Sequence, residues 1–292
     1  MYHVKKRIPL IVVLGVVLLG AGTLGFFVLR QEPEPVPVVE QPESGPKHEI
    51  IGESVQGRDI EAYAYGNGGT HVAFVGGIHG GYEWNSVLLA YEFMDYLQEN
   101  PNAVPNNITV SVIPNANPDA VFEIIGREGR FELSDVPSGD KSAARFNANN
   151  VDLNRNFDCK WQPQSTWRGA AVSAGTAPFS EPEARAIRDF VLEHRPDAVV
   201  FWHSQASAVY ASECENGILP ETLNIMQAYA DAANYQAVEK FDAYEITGDA
   251  EGWLASMGIP AITVELQTHE TIEWDRNLAG VQAVLQYYGN AR

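Results

Sequence analysis

Apolar positions along the chain fall into two regimes. Residues 8–29 are an unbroken uncharged run, whereas beyond residue 48 apolar residues come in short bursts or at helical spacing. Four bursts, at 70–75, 108–113, 198–202 and 261–266, are rich in Val, Ile and Phe and end at Gly, Pro or a polar residue, so each predicts a buried strand. Between them, Trp84, Val87, Leu88, Tyr91, Met94 and Leu97 recur at the helical period and predict a helix over 83–97. Ser180-Glu181-Pro182-Glu183 reads as a capping box with proline in the first turn, opening a helix over 180–194. A last helix is expected over 274–288. Strands alternating with helices predict an α/β domain, its sheet mixed and mostly parallel with helices on both faces. Ligands of such sheets gather at the carboxyl ends of the strands.

The first run stands apart. Lys5, Lys6 and Arg7 precede it, and its length at 1.5 Å per residue is about 33 Å as a helix, enough to cross a bilayer. The basic cluster is expected to stay in the cytoplasm and to leave the rest of the chain outside. The expected organisation is a cytoplasmic basic segment at 1–7, a transmembrane signal-anchor at 8–29, a Pro/Glu-rich linker at 30–47 and one globular domain at 48–292. Cleavage near Ala21-Gly22-Thr23 would instead give a secreted protein. A net charge of -19 and the absence of any later basic run argue against nucleic acid as a partner. Only Cys159 and Cys214 are present, too few for a disulfide scaffold or a Cys-rich metal finger.

Chemistry-bearing residues fall at the predicted strand ends. His79 follows the first strand in Gly76-Gly77-Ile78-His79-Gly80-Gly81, Glu83 opens the next helix, and His203 ends the third strand. Two imidazoles and a carboxylate with an open fourth position suit one catalytic zinc ion per chain. Glu265 ends the strand Ile262-Thr263-Val264-Glu265-Leu266, where a buried acid needs a partner or a task; it is the candidate general base. Asn154 and Arg155, in Val151-Asp152-Leu153-Asn154-Arg155-Asn156-Phe157, offer adjacent amide and guanidinium donors suited to a carboxylate, with Arg145 as a second cation.

In these residues the chain resembles the M14 family of zinc carboxypeptidases, the pancreatic carboxypeptidase superfamily. The matching pieces, in family order, are Gly-Ile-His-Gly at 77–80, Asn-Pro-Asp at 117–119, the run at 151–157, Phe-Ser-Glu-Pro-Glu at 179–183, Trp-His-Ser at 202–204 and Thr-Val-Glu-Leu at 263–266. The resemblance implies an eight-stranded mixed sheet between helices. It implies zinc held by His79, Glu83 and His203, Glu265 as base, and a substrate carboxylate gripped by Asn154 and Arg155. Arg145 matches the arginine that polarises the scissile carbonyl, with Arg127 and Arg130 as weaker claimants, and Tyr244 resembles the mobile tyrosine that caps the substrate. Glu251 falls near the pocket for the terminal side chain, where an acid would favour Lys, Arg or diaminopimelate. In one departure, three residues rather than two separate His79 from Glu83, and the two glycines between them must let the loop bulge.

Cys159 and Cys214 flank the implied site, so outside the cytoplasm a disulfide between them is expected. The expected protein is thus a membrane-tethered metallocarboxypeptidase acting as a monomer on peptides with a free C-terminal carboxylate. A murein-peptide amidase or N-acyl amino acid deacylase on the same scaffold, or a binding relative without metal, are the rival readings.

Overall fold

A computed structural model of the protein describes residues 45–290. The anchor expected at 8–29 and most of the 30–47 linker lie outside these residues, and among the described residues no helix is long and apolar enough to cross a membrane.

An eight-stranded sheet organises the domain. In chain order its strands are β1 (Lys47–Glu53), β2 (Asp59–Gly66), β3 (Thr70–Val75), β4 (Ile108–Ile113), β7 (Ala198–Ser204), β8 (Ala208–Ala211), β11 (Gln236–Val238) and β12 (Ala261–Leu266). Two small hairpins complete the set, β5 (Gln164–Trp167) with β6 (Ala170–Ser173) and β9 (Glu213–Cys214) with β10 (Gly217–Ile218). The spatial order is β1-β2-β4-β3-β7-β12-β8-β11. Neighbours from β4 through β3 and β7 to β12 are parallel, while β1–β2, β2–β4 and β8–β12 are antiparallel.

The central strands are mostly apolar because both faces are covered, with their polar residues concentrated toward the strand ends. Alternation along β3 sends Val72 and Phe74 into one layer and Ala73 and Val75 into the other. The first layer packs under the helices Trp84–Glu99, Pro220–Ala233 and Trp274–Asn290; there Phe74 stacks on Trp202 at 5.3 Å, and the Trp202 indole donates to the Tyr229 hydroxyl at 3.1 Å. The second layer packs under Pro182–His194 and Ala250–Ser256.

The strands expected at 70–75, 108–113 and 261–266 keep those bounds, and the one expected at 198–202 continues through His203 to Ser204. The capping box expected at 180–183 does not form. Glu183 instead accepts from the Val55 amide and the Asn147 side chain, and the Ser180 hydroxyl donates to Glu181. The helix expected at Glu83 starts one residue later, after a 3-10 turn over Gly80–Glu83.

Candidate metal centre and substrate cleft

β3 runs through Gly76-Gly77 and delivers His79 to the carboxyl end of the sheet. The 3-10 turn that follows is open only to glycine: a Cβ on Gly80 would lie 2.4 Å from the Ala120 Cβ, and one on Gly81 would lie 2.6 Å from the Ala120 carbonyl oxygen. Gly80 also adopts φ +48°. This turn absorbs the extra residue between His79 and Glu83. The Glu83 Oε1 ends 2.8 Å from His79 Nδ1, and its Oε2 ends 3.0 Å from Nδ1 of His203, supplied by β7. The two Nδ1 atoms are 3.2 Å apart.

These three groups fit a zinc ion. Ligand atoms about 2 Å from a tetrahedral ion stand roughly 3.3 Å from one another, close to the three separations found here. All three side chains are buried, at 4%, 2% and 2% exposure for His79, Glu83 and His203. Two ring nitrogens facing each other across a carboxylate leave those lone pairs no better common partner than a cation. The outer nitrogens agree: His203 Nε2 meets Glu251 Oε1 at 3.1 Å, and His79 Nε2 faces Asp152 Oδ1 at 3.4 Å. Carboxylates behind both rings favour the tautomer with Nδ1 turned inward. Burial opposes ionisation of Glu83, but His79 and His203 outweigh it and hold the carboxyl well below its usual range. Burial likewise opposes the charge on Asp152, and Arg145 and Arg155 outweigh it.

Glu251 lines the cleft and also stands behind a candidate metal ligand. It is 3% exposed, and its Oε1 also accepts from the Thr263 hydroxyl at 2.9 Å. It serves His203. The neighbouring acid, Asp249, caps the Ala250–Ser256 helix through Oδ2 and the Gly252 amide at 2.7 Å, and it lines the cleft. Burial, then Glu251, raises its carboxyl to about 6.

A cleft of about 590 Å³ opens over the candidate metal ligands. Glu265 stands in its wall. β12 and β7 pair in parallel with Glu265 opposite His203, which puts both side chains on one face of adjacent strands, about 4.8 Å apart along the backbone ladder. Glu265 Oε2 is buried with no partner among the described residues. Burial, then the Glu83 carboxylate, raises its carboxyl to about 7. Arg145 reaches in from the other side, its Nε donating to Asp152 at 2.9 Å and its guanidinium lying 4.6 Å from the Trp167 ring centre. Arg127 and Arg130 pair instead with Asp135 and Asp95 and do not line the cleft.

Asn154 and Arg155 occupy a 3-10 turn that Asp152 caps. The Ala250 amide donates to Asn154 Oδ1 at 2.8 Å, which orients the side-chain amide and leaves its NH2 unpaired among the described residues. Arg155 binds two backbone carbonyls, of Asn154 at 2.6 Å and Thr166 at 3.2 Å, and its Nε is buried without a partner. Tyr244 lines the rim, packed on Phe241 with ring centres 4.9 Å apart. Cys159 and Cys214 are bonded, fastening the loop after Arg155 to β9. The Gly248 amide donates to the Cys159 carbonyl at 2.7 Å, so the same loop carries the approach to Asp249.

A family profile described as zinc carboxypeptidase (peptidase M14) matches residues 43–277. The chain belongs to this family. Its fold accords with that: thrombin-activatable fibrinolysis inhibitor superposes with a TM-score of 0.68 over 85% of this chain and 70% of the other, at 17% identity. Murein-tripeptide amidase from Escherichia coli O157 does so at 0.59 over 86% and 98%, at 20% identity. By sequence, gamma-D-glutamyl-L-diamino acid endopeptidase 1 of Lysinibacillus sphaericus is 26% identical over 74% of this chain and 59% of its own length. Murein peptide amidase A of Escherichia coli K12 is 27% identical over 44% and 54%. The chain thus spans little more than half the length of these curated relatives.

Within the family frame, the structure gathers His79, Glu83, His203, Glu265, Arg145, Asn154, Arg155, Tyr244 and Glu251 around one cleft. Among the cleft residues that escaped the sequence are Tyr82, Trp167, Arg168 and His269. Tyr82 is one step before Glu83, and His269 is four beyond Glu265, but no periodicity or spacing distinguishes either. Trp167 and Arg168 arrive by the β5–β6 hairpin, whose docking is a tertiary event.

Proposed function

We propose that the protein is a zinc-dependent peptidase of the carboxypeptidase type, cutting an amide bond whose leaving side carries a free carboxylate. The observation that carries this is the Asn154 amide and the Arg155 guanidinium side by side in the same cleft as the His79–Glu83–His203 set and Glu265. His79 and His203 through Nδ1, and Glu83 through its carboxylate, would hold the ion, which when bound supplies Lewis acidity toward a carbonyl oxygen and toward water. Asn154 and Arg155 fix the substrate by its carboxylate. Glu265, near neutral in pKa, takes a proton from the attacking water and returns it to the leaving nitrogen. Arg145, braced by Asp152 and Trp167, meets the charge that develops on the scissile oxygen. Tyr244, at the rim, closes over the terminal residue. The Cys159–Cys214 bond and the basic-then-apolar N-terminus favour action outside the cytoplasm, with the chain anchored by 8–29.

The cell-wall relatives favour a narrower substrate. Two of them are named for gamma-D-glutamyl-L-diamino acid or murein peptide bonds. Asp249 supports this reading: it is a half-buried acid lining the cleft near Arg155, and a substrate ammonium beside it would favour its ionised form. A leaving residue with both a carboxylate and an amine fits that end of the cleft. The test uses purified full chain and peptide pairs differing only in a free or amidated C-terminus. Cleavage of the free acid alone, lost with chelation and restored by zinc, is expected. Equal cleavage of the amidated partner, or full turnover after zinc removal, would refute the reading.

A further inference from the structure

Three consecutive residues of the β5–β6 hairpin each touch a different part of the cleft. The Thr166 carbonyl accepts from Arg155, the Trp167 ring lies against the Arg145 guanidinium, and Arg168 Nη1 donates to the Tyr82 hydroxyl at 3.3 Å. Strand residues advance about 3.3 Å each. The hairpin therefore runs along the cleft as a ruler, from the carboxylate grip, past the scissile carbonyl, to a position on the acyl side. Its tip is fixed: Arg168 and Gly169 adopt φ +51° and +81°, the pair of left-handed residues that closes a two-residue hairpin without splaying its strands.

The opposite wall of that acyl-side position is His269. Its orientation follows from a chain of committed protons. The Asn85 amide nitrogen donates to the carbonyls of Thr268 at 2.7 Å and Thr271 at 2.9 Å, which fixes Oδ1 as the end that accepts from the Ser204 hydroxyl at 3.0 Å. With the Ser204 proton spent, His269 Nδ1 must be the donor in its 2.7 Å contact with Ser204 Oγ. Nε2 is then the ring nitrogen left for the cleft; burial lowers the ring's pKa, so it stands there uncharged as part of the wall. Tyr82 sits between the walls, its ring centre 4.5 Å from that of His269 and 5.3 Å from that of Trp167.

We infer that Arg168, Tyr82 and His269 form an acyl-side subsite for a second carboxylate of the substrate, one standing a few bonds from the scissile carbonyl. This rests on the peptidase reading above and deepens it. An ordinary α-linked peptide presents an uncharged amide there. A γ-linked glutamyl residue, in contrast, uses its side-chain carboxyl in the scissile bond and leaves its α-carboxylate free at about that distance. Arg168 supplies the fork for that carboxylate, the Tyr82 hydroxyl, which accepts from Arg168, keeps its own proton to donate, and the His269 ring closes the far wall.

The decisive pair of substrates is L-Ala-γ-D-Glu-L-Lys and the same peptide with the glutamyl α-carboxylate converted to carboxamide, beside L-Ala-L-Ala-L-Lys. The wild-type protein is expected to prefer the carboxylate over the carboxamide by about 10- to 100-fold in kcat/KM, mostly through KM. In Arg168→Gln that ratio should fall toward one, and in His269→Asn it should fall part of the way. Equal rates on the two glutamyl peptides in the wild type, or an unchanged ratio in Arg168→Gln, overturns the subsite. Cleavage of the Ala-Ala-Lys peptide alone also overturns it while leaving the peptidase reading intact. Should no peptide be cut, the peptidase reading fails. Calorimetric binding of the two glutamyl peptides to zinc-loaded Glu265→Gln still decides the subsite, and equal affinities reject it.

Discussion

Glu251 separates two accounts of the cleft, and replacing it distinguishes them. Its Oε1 lies 3.1 Å from His203 Nε2 and 2.9 Å from the Thr263 hydroxyl, deep in the cleft wall. Burial disfavours its charge, but the His203 ring outweighs burial and keeps the carboxyl below its usual range. Glu251→Ala would leave an imidazole N–H buried without an acceptor. A charge-assisted hydrogen bond of this kind contributes about 1.5–3 kcal/mol. At 1.4 kcal/mol per tenfold, zinc affinity should drop roughly 10- to 100-fold, within the usual range for the groups behind metal ligands. Glu251→Gln keeps an acceptor oxygen while losing the charge, so its loss should be smaller. Competition against a fluorescent chelator measures both. If Glu251 instead read the terminal side chain, both variants would keep wild-type zinc affinity and change only the preference between Lys- and Phe-terminated peptides. That outcome would refute the assignment.

Three further perturbations test the site. Because Glu265 must be ionised to accept a proton, kcat/KM should fall as pH falls, with unit slope; its carboxyl stands at about 7 without a cation, and a bound zinc lowers it, so the midpoint should lie between 4.5 and 7. A profile flat down to pH 4.5 would remove Glu265 as the base. Paired serine replacements of Cys159 and Cys214 release a loop of sequence separation 55, which the chain-entropy relation equates to about 4 kcal/mol; urea melts showing no loss would contradict it. Gly81→Ala drives a Cβ to within 2.6 Å of the Ala120 carbonyl and 2.5 Å of Ile124, so the Gly80–Glu83 turn must shift and Glu83 with it; zinc content measured by mass spectrometry should drop below wild type, and unchanged content would mean the turn yields without moving Glu83.

Much of the site was legible because its residues sit at the ends of apolar strands. His203 and Glu265 could be placed from β7 and β12 alone, and the Asn154–Arg155 turn from its unusual donor pair. Counting along the chain put Glu251 beside the pocket, but its contact with His203 depends on how the Ala250–Ser256 helix docks, which no count reveals. Tyr82, Arg168 and His269 were invisible for a different reason: each lies in a loop or turn whose position depends on what it packs against. The same holds for the fold. β3, β4, β7 and β12 were readable as buried bursts, whereas β1 is mostly exposed and β8 and β11 span four and three residues, too few for a period to register.

The Glu265–His203 register also bears on how such a protein can diverge. The separation between the proton acceptor and one metal ligand is set by the hydrogen-bonded rungs of two neighbouring strands, not by any loop. Insertions after β7 or in the β5–β6 hairpin can therefore reshape what enters the cleft while the hydrolytic distance stays fixed. A single-residue insertion within β12 itself would turn Glu265 to the other face of the sheet and extinguish the chemistry at a stroke. Exchanging the hairpin between relatives should accordingly redirect which bonds are cut, with the hydrolytic apparatus carried over whole.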